Sequence, residues 1–409
     1  MTTGVGGSTQ EQALGRLRPM LDGVEPIAAA EYQARILKAQ DRMRDLGLEA
    51  MFLSAGANLE YFTGGRWSPS ERMVGALLPA SGALEYLAPA FEQGTIRDFM
   101  VVDGAINGWQ EHESPYRLLL DCLQRMGVAP NTSVRPRIGL CPSLPFFMFD
   151  GLRQLDPGYA FTDASAVTAY CRQRKSSAEL ALMQRAKDMT LAVHKAAASI
   201  LHEGISTSEV VRFIERAHRA VGASGSTFCI VLFGQASAFP HGVKYPQTLK
   251  RGDMVLIDTG CCVHSYQSDI TRSYVFGEPD ERQRAVWAFE KEAQLAAFAA
   301  ARLGARCEEV DAAARHALEA CGLGPGYQLP GLPHRTGHGI GLEIHESPYL
   351  VRGDLTPIEV GMCFSNEPMI CVPGEFGIRL EDHFYISEEG PRWFTEPSHS
   401  IDDPFGLDG

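Results

Sequence analysis

No two cysteines in this sequence are spaced as CxxC, so neither a zinc knuckle nor a thioredoxin-like redox site is signalled. Ten cysteines in 409 residues are also too few for a disulfide scaffold. They read as the reduced thiols of a cytoplasmic protein, and the adjacent Cys261 and Cys262 read as strand residues. No run of about 18 apolar residues occurs, so no membrane span is expected. The opening MTTGVGGSTQEQALGRLRP lacks the apolar core of a signal peptide. Basic charge is in deficit, with 37 Lys and Arg against 50 Asp and Glu for a net charge of −13. Phosphate contacts need a basic face, so nucleic acid is not an expected partner.

What is present is ordinary globular usage, 45% apolar and 21% charged. The length suits roughly two or three domains. Residues 1–26 are expected to be a flexible tail leading to Pro26. Beyond it, EYQARILKAQDRMRDL has helical spacing and stops at Gly47, while AMFLSA reads as a buried strand. MVGALLPASGALEYLAP reads as strand, turn and strand. A helix over 114–126, a short strand RIGLC, a helix FFMFDGLRQL, and a strand and loop in YAFTDASAV complete an alternating α/β region. From Cys171 the pattern changes. Long helices are expected over 177–203 and 207–221, the first capped by Ser176 or Ser177 with Glu179 in its first turn. Further helices over 280–303 and 308–321 interrupt a strand-rich remainder.

That remainder holds the chemistry. Asp258 follows the apolar run VLI, and Asp269 comes eleven residues later, just before TRSYVF resumes a strand. Two carboxylates on neighbouring antiparallel strands can face one site. In HRTGHGIGLEIHE, His334, His338 and His345 fall among three glycines. HEXXH is absent and the glycines oppose a helix, so a loop-and-strand setting is expected, with glycine letting backbone approach a ligand or metal. Glu367 ends an apolar strand before Pro368, and Glu381 shares a face with Arg379 two residues earlier. An acid ending a buried strand is costly unless it is paired or metal-bound. Four carboxylates and one imidazole suit a pair of Mn, Co, Fe or Zn ions, which form a clamp for hydrolysis.

The ordered set of Asp258, Asp269, GHGIG with His338, EP with Glu367, and RLED with Glu381 resembles the pita-bread metallopeptidases, over about 175–390. That family includes methionine aminopeptidase, aminopeptidase P and prolidase. The two-domain layout resembles its creatinase/prolidase/aminopeptidase P branch. Beyond the tail over 1–26, the resemblance implies a creatinase-like α/β N-terminal domain over 27–170 and an α+β pita-bread catalytic domain over 171–409. It implies two divalent ions, manganese foremost, with cobalt, zinc or iron as alternatives. Asp258 would bind one ion, Asp269 and Glu381 would bridge, and His338 and Glu367 would complete the second. Glu367 would also shuttle the proton, His241 in FPHG would line the pocket, and His345 would meet the scissile carbonyl or its oxyanion. His334 and Arg379 are substrate-binding candidates by the same likeness.

The implied reaction is hydrolysis of an Xaa-Pro bond, with short proline-containing peptides as substrates. Dipeptides are the leading reading, because the chain is shorter than many aminopeptidases P; a prolidase would also need a cation near the proline carboxylate. Arg379 is one candidate, and Arg66 or Arg72 in GGRWSPSERMV are others, with Trp67 as a pocket wall; an ordinary surface loop is the alternative there. Longer peptides, or a small cyclic amidine such as ectoine, remain as other substrates. The related sulfoniopropionate lyases carry an acid where this chain has Gly260. A ligand-free binding module is disfavoured because all five ligand positions are filled. The branch usually forms homodimers.

Overall fold

The computed structural model describes residues 2–131, 133, 135–155 and 158–407. The chain separates into two compact units, Ile27–Arg172 and a second made of Met1–Pro26 with Gln173–Gly409. The expected domain ends at 1 and 408–409 lie outside the described residues.

The Ile27–Arg172 unit is built on a mixed six-stranded sheet. Its spatial order is Ala105–Trp109, Glu85–Pro89, Gly75–Pro79, Ala50–Ser54, Arg137–Leu140 and Ala160–Asp163. Ala50–Ser54 is buried at every position, as a central strand covered on both faces must be. It runs antiparallel to Gly75–Pro79 and parallel to Arg137–Leu140. Helix Pro115–Arg125 starts at Ser114, whose hydroxyl accepts from the Arg117 N–H, and Pro115 occupies a first-turn position where no donor is lost. Its Leu119 and Leu123 pack with Phe52, Leu77, Leu87 and Ile138. The expected loop after the last strand is instead helix Ser165–Arg172. Asp163 starts it by accepting from the Ser165 N–H at 3.1 Å, and Val167 and Cys171 are buried beneath it.

In the other unit, helices Ser177–Ser199, Thr207–Ala220 and Glu281–Ala300 all begin with reciprocal capping boxes: Ser176 with Glu179, Ser206 with Glu209, and Asp280 with Gln283. The helices accompany two antiparallel sheets. One orders Ile270–Val275, Met254–Gly260 and Phe228–Phe233; the other orders Glu346–Leu350, Gly337–Gly339, Cys363–Asn366, Asp382–Ser387 and Gly390–Trp393. A hairpin pairs Met369–Val372 with Phe376–Arg379.

The expectation of a flexible tail is corrected for the described residues 2–26. A capping box between Thr9 and Gln12 starts helix Gln10–Arg16. The Gly6 and Ser8 N–H groups donate to the carbonyls of Ala198 and Ser199, and the Thr2 hydroxyl donates to Val275. Carbonyls in a helix's last turn have no partner within the helix, and this segment supplies donors to them.

His194 and His218 are buried polar side chains of this unit. His194 bonds through Nε2 to the Ile270 carbonyl, and His218 bonds through Nδ1 to the Ser226 hydroxyl. Burial lowers them to about 3 and about 4 respectively. The unfolded chain takes up these protons near pH 6.5, whereas the folded chain resists them. The contribution to stability is therefore complete above pH 6.5 and is lost as pH falls toward 4. The urea midpoint should fall across that interval, and His218→Asn should make the fall shallower. An identical slope in the variant would show that His218 is not responsible.

Candidate metal centre

Three strand systems bring the acidic residues together. Asp258 lies on Met254–Gly260 opposite Thr271, in a register that also carries Asp269, one residue before Ile270–Val275. Thr271 then links this sheet to Glu381: the Glu381 N–H donates to the Thr271 carbonyl, and the Thr271 hydroxyl donates to Glu381 Oε2 at 2.7 Å. His338 sits in the middle of Gly337–Gly339, and its N–H donates to Ser365 Oγ. The same hydroxyl donates to Glu367 Oε1, tying the end of the neighbouring strand to His338. His338 Nε2 lies 3.1 Å from Glu367 Oε1 and 3.9 Å from Asp269 Oδ2.

The glycines around His338 do bring backbones close, but to neighbouring strands. A Cβ at Gly337 would lie 2.1 Å from the Ser365 carbonyl oxygen, and one at Gly339 would lie 2.4 Å from that of Glu346. At Gly260, where the lyases carry an acid, a Cβ would lie 1.9 Å from the Ser268 carbonyl oxygen.

The stretch Arg379–Asp382 is gripped from two sides. On helix Glu281–Ala300, Glu290 accepts from the Leu380 N–H, while Gln294 donates to the Leu380 carbonyl and to Asp382. Arg272 donates to the Glu381 carbonyl and pairs with Asp382 at 2.7 Å. Glu290, Gln294, Arg272 and Thr271 escaped the sequence reading. The only local signal was a polar or charged residue in a buried context.

A cleft of about 450 Å³ opens over these groups. It is lined by Asp258, Asp269, Glu367, Arg379 and Glu381, by His241, His334 and His345, and by Phe228, Ile230, Ile344 and Arg335. Nine of the ten residues expected in the site therefore border it or touch its carboxylates. The tenth, Trp67, belongs to the Ile27–Arg172 unit, where its ring centre lies 6.1 Å from that of Phe99. Arg66 is paired with Glu60, and Arg72 with Glu111. Arg379 is buried, and its donors go to Asp258 at 2.6 Å, to the Thr271 hydroxyl and to the Pro240 carbonyl.

The charges are mutually uncomfortable. Burial, then the neighbouring carboxylates, raise Asp269 and Glu381 well above their usual range. Burial acts in the same direction on Glu367, but His338, His334 and Arg379 outweigh it and hold that group below the carboxylate range. Burial also lowers His345 to about 4, helped by His338 and Arg335, although its side chain reaches the open rim of the cleft. A divalent cation fits this arrangement. Asp258 Oδ1, Asp269 Oδ1, Glu381 Oε1 and His338 Nε2 are buried without hydrogen-bond partners. His338 Nδ1 bonds to the Gly339 carbonyl, which leaves Nε2 as the ligating nitrogen. Donors from Asp269, His338, Glu367, Glu381, His345 and His383 group within 4.8 Å of one another in sets of three.

Comparison with known proteins agrees with this geometry. Residues 181–388 match metallopeptidase family M24, and residues 35–174 match the creatinase/prolidase N-terminal domain. The chain belongs to metallopeptidase family M24. Among solved structures, this peptidase is similar to dipeptidase PepE from Mycobacterium ulcerans, with 31% identity, TM-score 0.83, and 92% of this chain and 99% of that one covered. It is similar to the prolidase from Thermococcus sibiricus at 28% identity and TM-score 0.80, covering 89% and 97%. It is also similar to an Xaa-Pro dipeptidase from Bacillus anthracis at 25% identity and TM-score 0.79, covering 90% and 99%. The M24 peptidase thus combines a creatinase-type α/β domain with a pita-bread α+β domain.

The raised proton affinity of Asp269 and Glu381 sets protons and cations in competition at this centre. Metal uptake should therefore release protons and tighten as pH rises. Calorimetry in two buffers of different ionisation enthalpy measures the release. Asp269→Ala should reduce both the release and the bound metal, and equal values for the variant and wild type would contradict this account.

Proposed function

We propose that this M24 peptidase hydrolyses Xaa-Pro dipeptides. One observation carries the preference for dipeptides: Arg335 borders the cleft, and no carboxylate among the described residues pairs with it. Its guanidinium lies over the Tyr349 ring, 4.4 Å from the centre, with its polar edge free to meet an anion. The proline carboxylate of a dipeptide is that anion. In a longer peptide the same position is an uncharged amide. Phe228, Ile230 and Ile344 supply an apolar wall suited to the pyrrolidine ring.

In this reading Asp258, Asp269, His338, Glu367 and Glu381 hold two divalent ions. The mixture of oxygen donors with imidazole supports manganese, with cobalt, zinc and iron also compatible. When bound, the ions supply Lewis acidity and activate a water. Glu367, kept ionised by its basic neighbours, takes the proton from the attacking water at a carboxylate oxygen and passes it to the prolyl nitrogen. His345, whose ring centre is 4.2 Å from that of His338, donates to the developing oxyanion. His241 and His334 border the substrate, and Arg379 orients Asp258. The free cysteines and the family resemblance support a cytoplasmic homodimer as part of the same proposal.

The test compares an Xaa-Pro dipeptide with the tripeptide of the same start. Wild type should prefer the dipeptide. Arg335→Leu should raise the dipeptide KM roughly 10- to 100-fold, the loss of one charge-assisted bond, and leave the tripeptide nearly unchanged. Arg335→Lys should recover part of the loss. Faster tripeptide cleavage by wild type would instead assign an Xaa-Pro aminopeptidase.

A further inference from the structure

His383 is named above only among the grouped donors and has no role in the reading of the site so far. It lies on strand Asp382–Ser387, two residues after Glu381, so both side chains leave the strand on the same face. The intervening Asp382 points the other way, to Arg272 and Gln294. His383 is fully buried, and neither of its ring nitrogens has a hydrogen-bond partner. Its cross-strand neighbour Ser365 offers no relief, because that hydroxyl is already engaged with His338 and Glu367. The buried Lys187 ammonium donates to the Gln267 carbonyl and has no lone pair to offer an imidazole.

The His383 Nε2 atom lies 3.7 Å from Glu381 Oε1, an oxygen that is itself without a partner. That is beyond a hydrogen bond, which for N–H···O ends near about 3.2 Å. It is the spacing of two donors that share one ion. Metal–nitrogen and metal–oxygen bonds of about 2.0–2.2 Å place adjacent donors about 3 to 4 Å apart. His338 occupies the same window, with Nε2 at 3.1 Å from Glu367 and 3.9 Å from Asp269. Donor atoms of Asp269, Glu381 and His383 lie within 4.8 Å of one another. The His338 and His383 ring centres are 6.4 Å apart, and only His338 touches the groups at the mouth of the cleft.

We propose that His383 is a sixth metal-binding residue, its Nε2 joining Asp269 and Glu381 on one ion from the buried side of the site. The inference rests on reading this cluster as a metal centre and adds to it a second buried imidazole.

The test uses Co(II), because an imidazole bound to this ion gives a strongly shifted, solvent-exchangeable ring N–H resonance in the proton spectrum. Co(II) is titrated into the full-length, metal-free chain. His383→Gln should lose one such resonance relative to wild type and bind Co(II) roughly 10- to 100-fold more weakly by calorimetry. An unchanged set of resonances with unchanged affinity overturns the proposal. Should that variant fail to fold by circular dichroism, the double variant His338→Gln with His345→Gln decides. One remaining shifted N–H supports His383 as a ligand, and none overturns it. If wild type takes up no Co(II), the metal-centre reading fails with it. If wild type binds Co(II) and His383→Gln behaves identically, only the role of His383 falls.

Discussion

Repulsion among buried carboxylates is the condition that the rest of the catalytic unit has to satisfy. Asp258, Asp269, Glu367 and Glu381 border one cleft, and among the described residues Arg379 is the only guanidinium hydrogen-bonded to any of their side chains. Two like charges about 4 Å apart near a protein surface repel by about 4 kcal/mol. Such a cluster persists only where protons or cations neutralise it and where the backbone cannot relax away. Both features are present. Burial and the neighbouring carboxylates raise the proton affinity of Asp269 and Glu381 well above that of ordinary carboxylates, and the strand ends carrying them are pinned by bonds to other elements.

The pinning is done largely by groups that add no net charge to the cleft. The hydroxyls of Thr271 and Ser365 each link one acid to a neighbouring strand. The neutral Gln294 donates to the Leu380 carbonyl, and Glu290, which is not among the residues lining the cleft, accepts from the Leu380 N–H. The Arg272 charge is spent on Asp382, on the far side of the strand from Glu381. The unit thus keeps its permanent positive charge mostly away from the acids and leaves room for a cation. A site filled with lysines would hold the same acids in place but would compete with the metal for them.

How much of this was legible in the sequence depends on the range of the interactions. Asp258, Asp269, His338, Glu367 and Glu381 stood out because an acid or imidazole in an apolar or glycine-rich strand is costly without a partner. The capping boxes were local, so three long helices were readable to within a few residues. The contribution of residues 2–26 was not readable, since glycine-rich composition hides donors that meet the end of a helix nearly 200 residues away. Glu290 and Leu380 are 90 residues apart, and no periodicity connects them. Arg379 was read as a substrate contact from its position, but its donors face Asp258, Thr271 and Pro240. Arg335, lost among histidines and glycines in the same motif, borders the cleft and pairs with no carboxylate among the described residues.

The chemistry of proline explains why that difference matters. A prolyl nitrogen in a peptide bond has no hydrogen, so the enzyme cannot recognise the scissile amide through an acceptor placed against it. Recognition has to come from the shape of the ring and from the group attached to its carbonyl side. The ring is apolar, and in the proposed reading the cleft-lining Phe228, Ile230 and Ile344 are what it would meet. The attached group is a carboxylate in a dipeptide and an amide in anything longer. A guanidinium held over an aromatic ring, outside the acid cluster, discriminates between the two without disturbing the metal ligands. A guanidinium already bonded to Asp258 would have to give up that bond to do so, leaving a buried carboxylate unpaired. In the proposed reading the two arginines divide the work: Arg379 holds Asp258, while Arg335, over Tyr349, is left to meet the carboxylate of a dipeptide.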